Sequence, residues 1–245
     1  MSDQKTTPPP PFPASDKGPR VQAMFAGIAH RYDLANHLLS AGLDFLWRRQ
    51  AARYARLWKP ERILDLATGS GDLALTLAVA SPASTIIAAD FCRPMLQVSR
   101  NKGVRNLVVA DALALPFEEA CFDMVTVAFG LRNMASWKDA LLEMNRVLKP
   151  GGHLLILDFS VPPPPLRWVY RPYLHYVLPR VAAFVTGKKA AYDYLGDSIE
   201  TFPHGRAMCA LLREAGFEEP RWSALTGGIV SLYTAERGIR AVSKA

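Results

Sequence analysis

Between residues 61 and 160, short apolar runs alternate with amphipathic stretches. Ile63, Leu64 and Leu66 form the first run, and the turn residues that bound it suit a parallel strand buried on both faces. Runs at 85–90, 107–110, 122–129 and 153–158 predict four more strands, with helices over 73–80 and 137–148 and another opened by Pro94. Strand and helix in regular alternation are the mark of a parallel sheet. Lys149-Pro150-Gly151-Gly152 stops the helix over 137–148. Near the C-terminus a helix is expected over 205–215, ended by Gly216, and runs at 218–225 and 229–235 meet across Gly227-Gly228 as a closing hairpin.

The flanks follow other patterns. Residues 1–20, with prolines at 8–11 and few large apolar side chains, are expected to be a disordered tail. From 21 to 57 the pattern is helical, with Phe25 and Ile28 on one face, then Leu34, Leu38, Phe45, Leu46 and Ala52 among Arg48, Arg49, Arg53 and Arg56. That mixture is too polar for a buried helix and too apolar for a free tail, so 21–60 is read as a helical cap over a ligand site, closed by Lys59-Pro60. Pro162 to Pro165 then breaks the chain, and 161–200 is read as an inserted lid. Pro172 and Pro179 are expected to cut it into short pieces. Its aromatic and basic residues, mixed without acids up to residue 190, suit the headgroup boundary of a membrane and equally suit a lid packed on the cap.

Composition narrows the class. A chain of 245 residues that is 50% hydrophobic can bury a substantial core, and one α/β domain over 21–245 with additions is the natural reading. No apolar run approaches the length of a membrane span and no charged-then-apolar leader opens the chain, so a cytoplasmic protein is expected. Cys92, Cys121 and Cys209 are odd in number and far apart, which predicts neither a disulfide framework nor a metal site. The net charge of +7 sits in the additions: 1–60 hold nine Lys/Arg against four Asp/Glu and 161–190 five against none, whereas 61–160 hold nine against eleven. Because these basic stretches are interleaved with Leu, Trp and Tyr, they read as a lipid-facing cap and not as a nucleic-acid surface.

The glycine-rich turn after the first strand admits two cofactors. Gly69, Gly71 and Ala74 fit the dinucleotide pattern G-x-G-x-x-A, with Asp90 at about the expected twenty residues. Asp65 decides between them. A carboxylate inside the strand just ahead of the loop would repel a pyrophosphate but attract an ammonium and a sulfonium, and S-adenosyl-L-methionine carries both. Asp72 is placed to cap the following helix. Asp90 can accept from two ribose hydroxyls, and Asp111-Ala112 follows the third strand where the adenine would lie. A second chemical stretch, Phe129-Gly130-Leu131-Arg132-Asn133, ends the fourth strand. Arg132 has no acid beside it in sequence, so it either stabilises charge on a substrate or braces its turn against a distant acid. His153 starts a strand at the edge away from the ligand and reads as structural.

Together these pieces resemble the ubiquinone/menaquinone C-methyltransferase family, within the class I adenosylmethionine-dependent methyltransferases. The resemblance covers 21–236 and is carried by 25–36 (F-x-x-I-A-x-R-Y-D-L-x-N), 63–72, 129–133, 146–152 (R-V-L-K-P-G-G), Leu178-Pro179-Arg180 and 194–199. It implies a Rossmann-like, seven-stranded, mostly parallel sheet with an antiparallel C-terminal hairpin. It also implies methyl transfer to a ring carbon of a polyprenyl quinol: demethylmenaquinol to menaquinol, or the matching 2-methoxy-6-polyprenyl-1,4-benzoquinol step. Peripheral contact with the inner membrane face is expected, and a homodimer is compatible with the resemblance. Cofactor contacts carry over to Ser70, Asp90 and Asp111-Ala112, beside Asp65, Gly69 and Gly71 from the residues themselves. Arg132, Asn133 and Tyr32 are the catalytic candidates, with His30 or a water as other proton relays. Relatives carry Ser just before F-G-L-R-N, where this chain has Ala128, so that hydroxyl contact is absent. An NAD-dependent oxidoreductase and an RNA methyltransferase are the rival readings.

Overall fold

The computed structural model of the protein describes residues 14–28, 33, 37, 40–180 and 189–239. Seven strands form one sheet: β1 (Arg62–Leu66), β2 (Thr85–Asp90), β3 (Leu107–Val109), β4 (Phe122–Ala128), β5 (Leu148–Phe159), β6 (Phe217–Leu225) and β7 (Val230–Arg237). Their order is β3-β2-β1-β4-β5-β7-β6, parallel from β3 to β5, with β7 antiparallel to both its neighbours. This is the expected Rossmann-like sheet with its closing hairpin. The chain leaves central β1 for β2 on one side and comes back to β4 on the other, so a crevice opens at the carboxyl edge between them.

The helices are α1 (Ala14–Ile28), α2 (Leu43–Trp58), α3 (Asp72–Ala80), α4 (Arg93–Asn101), α5 (Trp137–Val147), α6 (Leu166–Pro172), α7 (Lys189–Thr201) and α8 (Arg206–Glu214). Alternate strand residues feed two apolar layers. Leu64 and Leu66 pack with Val125, Leu141 and Met144, while Ile63 packs on the other face with Leu77, Met124 and Ala55. Burial on both faces is why these strands read as unbroken apolar runs.

The cap departs from its sequence reading in phase. The buried stripe of α2 is Asp44, Trp47, Arg48, Ala51, Ala52 and Ala55, a 3.6-residue repeat, whereas Phe45 and Leu46 are 53% and 58% exposed. The stripe was hidden because an acid and an arginine, paired with each other, occupy two of its places. Helix α1 begins at Ala14, inside the stretch expected to be a tail, and continues into the cap, where Val21 is buried and Gln22 Nε2 donates to Phe91 O at 2.9 Å. Positions 1–13 lie outside the described residues, as do Leu34 and Leu38.

Two breaks are also gentler than expected. Pro172 does not cut the lid: α6 runs into a wide π-helical turn, Tyr173–Val177, which accommodates the proline's missing N–H. Pro150 and the glycines do not delay β5, whose first residue Leu148 pairs with Phe122 before a bulge brings His153 opposite Met124. Inside the lid, Tyr170, Leu174 and Leu178 pack with Ile199 and with Met24 of the cap. Among the described residues no helix is long and apolar enough to cross a membrane, and no group of side chains is arranged to hold a metal.

Candidate active site

The cofactor side of the crevice is built at the ends of β1, β2 and β3. Asp65 is almost fully buried and accepts from Thr68 Oγ1 at 2.6 Å and Thr126 Oγ1 at 2.8 Å. Burial pushes its pKa up to about 6, against those two hydroxyl bonds and the pull of Arg48. Such an acid lacks a full counter-charge, and a bound ammonium would supply one. Asp90 accepts from the N–H groups of Gly69 and Cys92 at 2.9 and 2.8 Å, and burial raises its pKa too. Asp111 accepts from Leu113 N at 3.0 Å in the loop after β3. Asp65, Gly69, Ser70, Asp90, Asp111 and Ala112 all line one cavity of about 140 Å³, with Ala128 in its wall. Three carboxylates, Asp65, Asp90 and Asp111, together with the apolar side chains of Phe91, Met95 and Leu113 suit an amino-acid-bearing nucleoside such as adenosylmethionine.

Two loop residues take other roles than expected. Gly71 does not line the cavity; at φ 85° it carries the loop over α4, where a Cβ would lie 2.3 Å from Ser99 Oγ and 2.7 Å from Val104 Cγ2. It is also the N-cap of α3, so Asp72 caps nothing; its carboxylate takes Lys102 Nζ at 2.5 Å and lies 3.5 Å from Arg48. The same lysine pairs with Asp33 of the cap at 2.5 Å, and Ser70 Oγ donates to Asp33 at 2.5 Å. Asp33 thus fastens the cap to the glycine loop, a role that sequence reading missed because Lys102 is distant along the chain.

Strain marks the seam between β1 and β4. Ala67 and Phe129, the residues just past each strand, have φ of 53° and 57°, costly for side chains with a Cβ. Gly130 lets the two ends meet, since a Cβ there would stand 2.5 Å from Ala67 Cβ. The turn is held from inside. Arg132 Nη1 donates to Phe129 O at 2.5 Å and to Asp158 Oδ1 at 2.7 Å, and Asn133 Nδ2 donates to Phe129 O at 3.3 Å. Arg132 therefore has a distant acid, 26 residues on at the end of neighbouring β5, and burial raises the pKa of Asp158 against the opposing charge of Arg132. Asn133 Oδ1 is buried with no hydrogen-bond partner among the described residues.

Beyond that seam lies a second cavity of about 380 Å³, walled mainly by apolar and aromatic side chains, among them Trp47 of the cap, Tyr170, Leu174 and Tyr194 of the lid, Phe159 of β5 and Ile229 beside β7. Arg48, Phe129 and Asn133 line both cavities, so a ligand in one abuts a ligand in the other. Arg132 faces the second cavity. Tyr32 and His30 lie outside the described residues. His153 stacks on Trp58 at 4.1 Å, away from both cavities, as expected of a structural residue.

A carboxylate-lined cleft at a parallel-sheet switch point, adjoining an apolar chamber, is the layout of a Rossmann-like methyltransferase. The fold agrees: the chain is similar to an adenosylmethionine-dependent methyltransferase of Thermotoga maritima, with a TM-score of 0.62 and 19% identity over 89% of this chain and 99% of that one. Residues 14–237 match the ubiE/COQ5 methyltransferase family, and the chain belongs to it. It is 48% identical to the demethylmenaquinone methyltransferase of Thermus thermophilus over 87% of this chain and all of the relative. It is 41% identical to the ubiquinone/menaquinone biosynthesis C-methyltransferase UbiE of a Geobacter species over 91% of this chain and 98% of that protein.

Proposed function

We propose that the protein is an S-adenosyl-L-methionine-dependent C-methyltransferase that converts demethylmenaquinol to menaquinol, as one domain over 21–245 whose cap and lid enclose the quinol. The observation that carries this reading is the pair of abutting cavities, one lined by acids at strand ends and the other large and apolar. A fused aromatic ring with an isoprenoid tail matches the second chamber in polarity. The names of the Thermus and Geobacter relatives support the same chemistry. The Geobacter name also admits the benzoquinol step of ubiquinone synthesis, which is the second reading.

The bound cofactor supplies an electrophilic methyl group, and the residues of the chain supply the rest. Asp65, Asp90 and Asp111 fix its amino acid, ribose and adenine ends. Aligning the ring carbon with the methyl at near-contact distance lowers the barrier by ~7–11 kcal/mol. Asn133 Oδ1, a buried acceptor on the shared wall, takes a hydrogen bond from one of the two quinol hydroxyls and leaves the other to lose its proton. Arg132 holds the strained turn that aims it and lends positive potential to the oxygen as its proton departs.

The quinol reaches the chamber from a membrane. Leu166 and Val169 line the cavity and are themselves exposed, beside Trp168 (71% exposed), Tyr176 and Val177 on the same outer face. Arg167 and Arg171 fall among them along the chain and Arg180 follows, a mixture of apolar and basic side chains suited to anionic headgroups. Reduced demethylmenaquinone and the benzoquinol precursor, offered side by side to the purified protein, test the assignment. The naphthoquinol should be methylated with the higher kcat/KM; a preference for the benzoquinol would transfer the protein to the second reading, and methylation of neither would refute both.

A further inference from the structure

Methylating an aromatic carbon with a sulfonium releases one proton, and a closed apolar chamber must let it out. Among the described residues lining the acceptor cavity, Arg48 and Arg132 are cations, and burial raises the pKa of Tyr170, of Tyr173 and, up to about 12, of Tyr194, so these groups donate at neutral pH. Asp44 is the one carboxylate among them. It is buried in the first turn of α2, where Oδ1 accepts from Ser40 Oγ at 2.6 Å and Oδ2 takes Arg48 Nη1. Burial alone would raise its pKa, but the Ser40 hydrogen bond and the Arg48 charge outweigh this and lower it, so it waits ionised.

A buried carboxylate by itself would trap the proton it took. Here Asp44 Oδ2 lies 2.7 Å from His37 Nδ1, and the His37 side chain is 28% exposed, stacked on exposed Phe45 at 4.4 Å between ring centres. One group faces the chamber and its partner reaches water.

We propose that Asp44 and His37 are the proton exit of the acceptor cavity. This rests on the quinol reading above. As the ring carbon bonds the methyl, the sulfur keeps the electron pair of the bond that breaks, and the quinol O–H proton moves to Asp44. While Asp44 is ionised His37 donates Nδ1–H to it; once the acid is neutralised that bond is lost, and the partly exposed imidazole turns to take the proton on its free Nε2 and passes it to water. The hydrogen displaced from the methylated carbon returns to the oxygen, so the ring regains its hydroxyl and one proton in all reaches solvent. Arg48 makes the first transfer cheaper: when Asp44 is neutralised, the guanidinium loses a counter-charge at the moment the quinol oxygen gains one. The competing account is that Asp44 merely steadies α2 and Arg48, with His37 as packing.

His37→Ala separates the two, because His37 is partly exposed and its removal leaves a gap open to solvent. Turnover on demethylmenaquinol should fall by ~10²-fold while calorimetric affinity for adenosylmethionine and the melting temperature stay near those of the parent. Added imidazole should restore much of the loss in His37→Ala and little in His37→Gln, whose amide fills the gap. Parental turnover in His37→Ala, or a loss that imidazole leaves untouched, overturns the proposal. Should the parent itself fail to methylate the quinol in the same assay, the substrate reading falls and not the proton exit.

Discussion

The two cavities are built by different parts of the chain in different ways. The cofactor cavity takes its acids from the ends of successive parallel strands, each within a few residues of the run that defines its strand, so geometry follows from local sequence. The acceptor cavity is assembled from pieces far apart: Arg132 with Asp158, Trp47 Nε1 donating to Thr226 Oγ1 across 179 residues, and Met24 against the lid. The first half is a property of the sheet, and the second of how cap and lid are folded over it. Charge burial divides them again: Asp65 of the first half awaits a cation from the ligand, while the acid of the seam, Asp158, already has Arg132.

That division yields predictions of graded size. The largest is for Arg132→Ala, which strands the buried Asp158 carboxylate and should cost ~3–5 kcal/mol in urea unfolding, with turnover lost as the turn relaxes. Arg132→Met combined with Asp158→Leu should recover most of the stability but little turnover. Full activity in the double variant would show that the pair serves only to hold the fold.

Asp65→Asn comes next. It should weaken adenosylmethionine binding by ~1–3 kcal/mol and leave NAD without effect on the parent or the variant. The pH dependence has a definite sign. With its folded pKa raised to about 6, Asp65 binds more protons folded than unfolded between its ordinary carboxylate range and that value. Its contribution to stability is therefore present at low pH and lost as pH rises toward 6, whereas cofactor affinity rises over the same window as the carboxylate ionises. Calorimetric titration at pH 5 and pH 7 should show that gain in the parent and a smaller one in Asp65→Asn; equal gains would take the ammonium away from Asp65.

The smallest effect is expected at the outer face of the lid. Binding to anionic liposomes should exceed binding to neutral ones by ~1 kcal/mol per engaged arginine, and salt should release the protein. Arg171 pairs with Glu200 at 2.9 Å, so Arg167 and Arg180 should account for most of the difference. Equal sedimentation with both lipids would leave the lid an intramolecular cover.

What the sequence disclosed follows the same line. Ile63 to Gly69, Asp90 and Asp111 were legible because a strand, a turn and a carboxylate adjoin in the chain. Asp44 and Arg48 were not, since two charged residues inside a buried helical stripe break the apolar signal that reveals such stripes. The acid opposite Arg132 was legible only as a strand end, because sheet order and not sequence spacing brings Asp158 to it. Lys102, which ties Asp33 to Asp72, has no local pattern at all.

The two cavities meet at Phe129 and Asn133, so that a methyl passes from adenosylmethionine to a ring carbon of the quinol. A single turnover with methyl-labelled adenosylmethionine and reduced demethylmenaquinone, followed by mass spectrometry of the extracted lipid, tests it directly. One labelled methyl on the ring carbon and an equivalent amount of the demethylated cofactor product are expected. Label on a quinol oxygen, or a cofactor that returns unchanged, would contradict it.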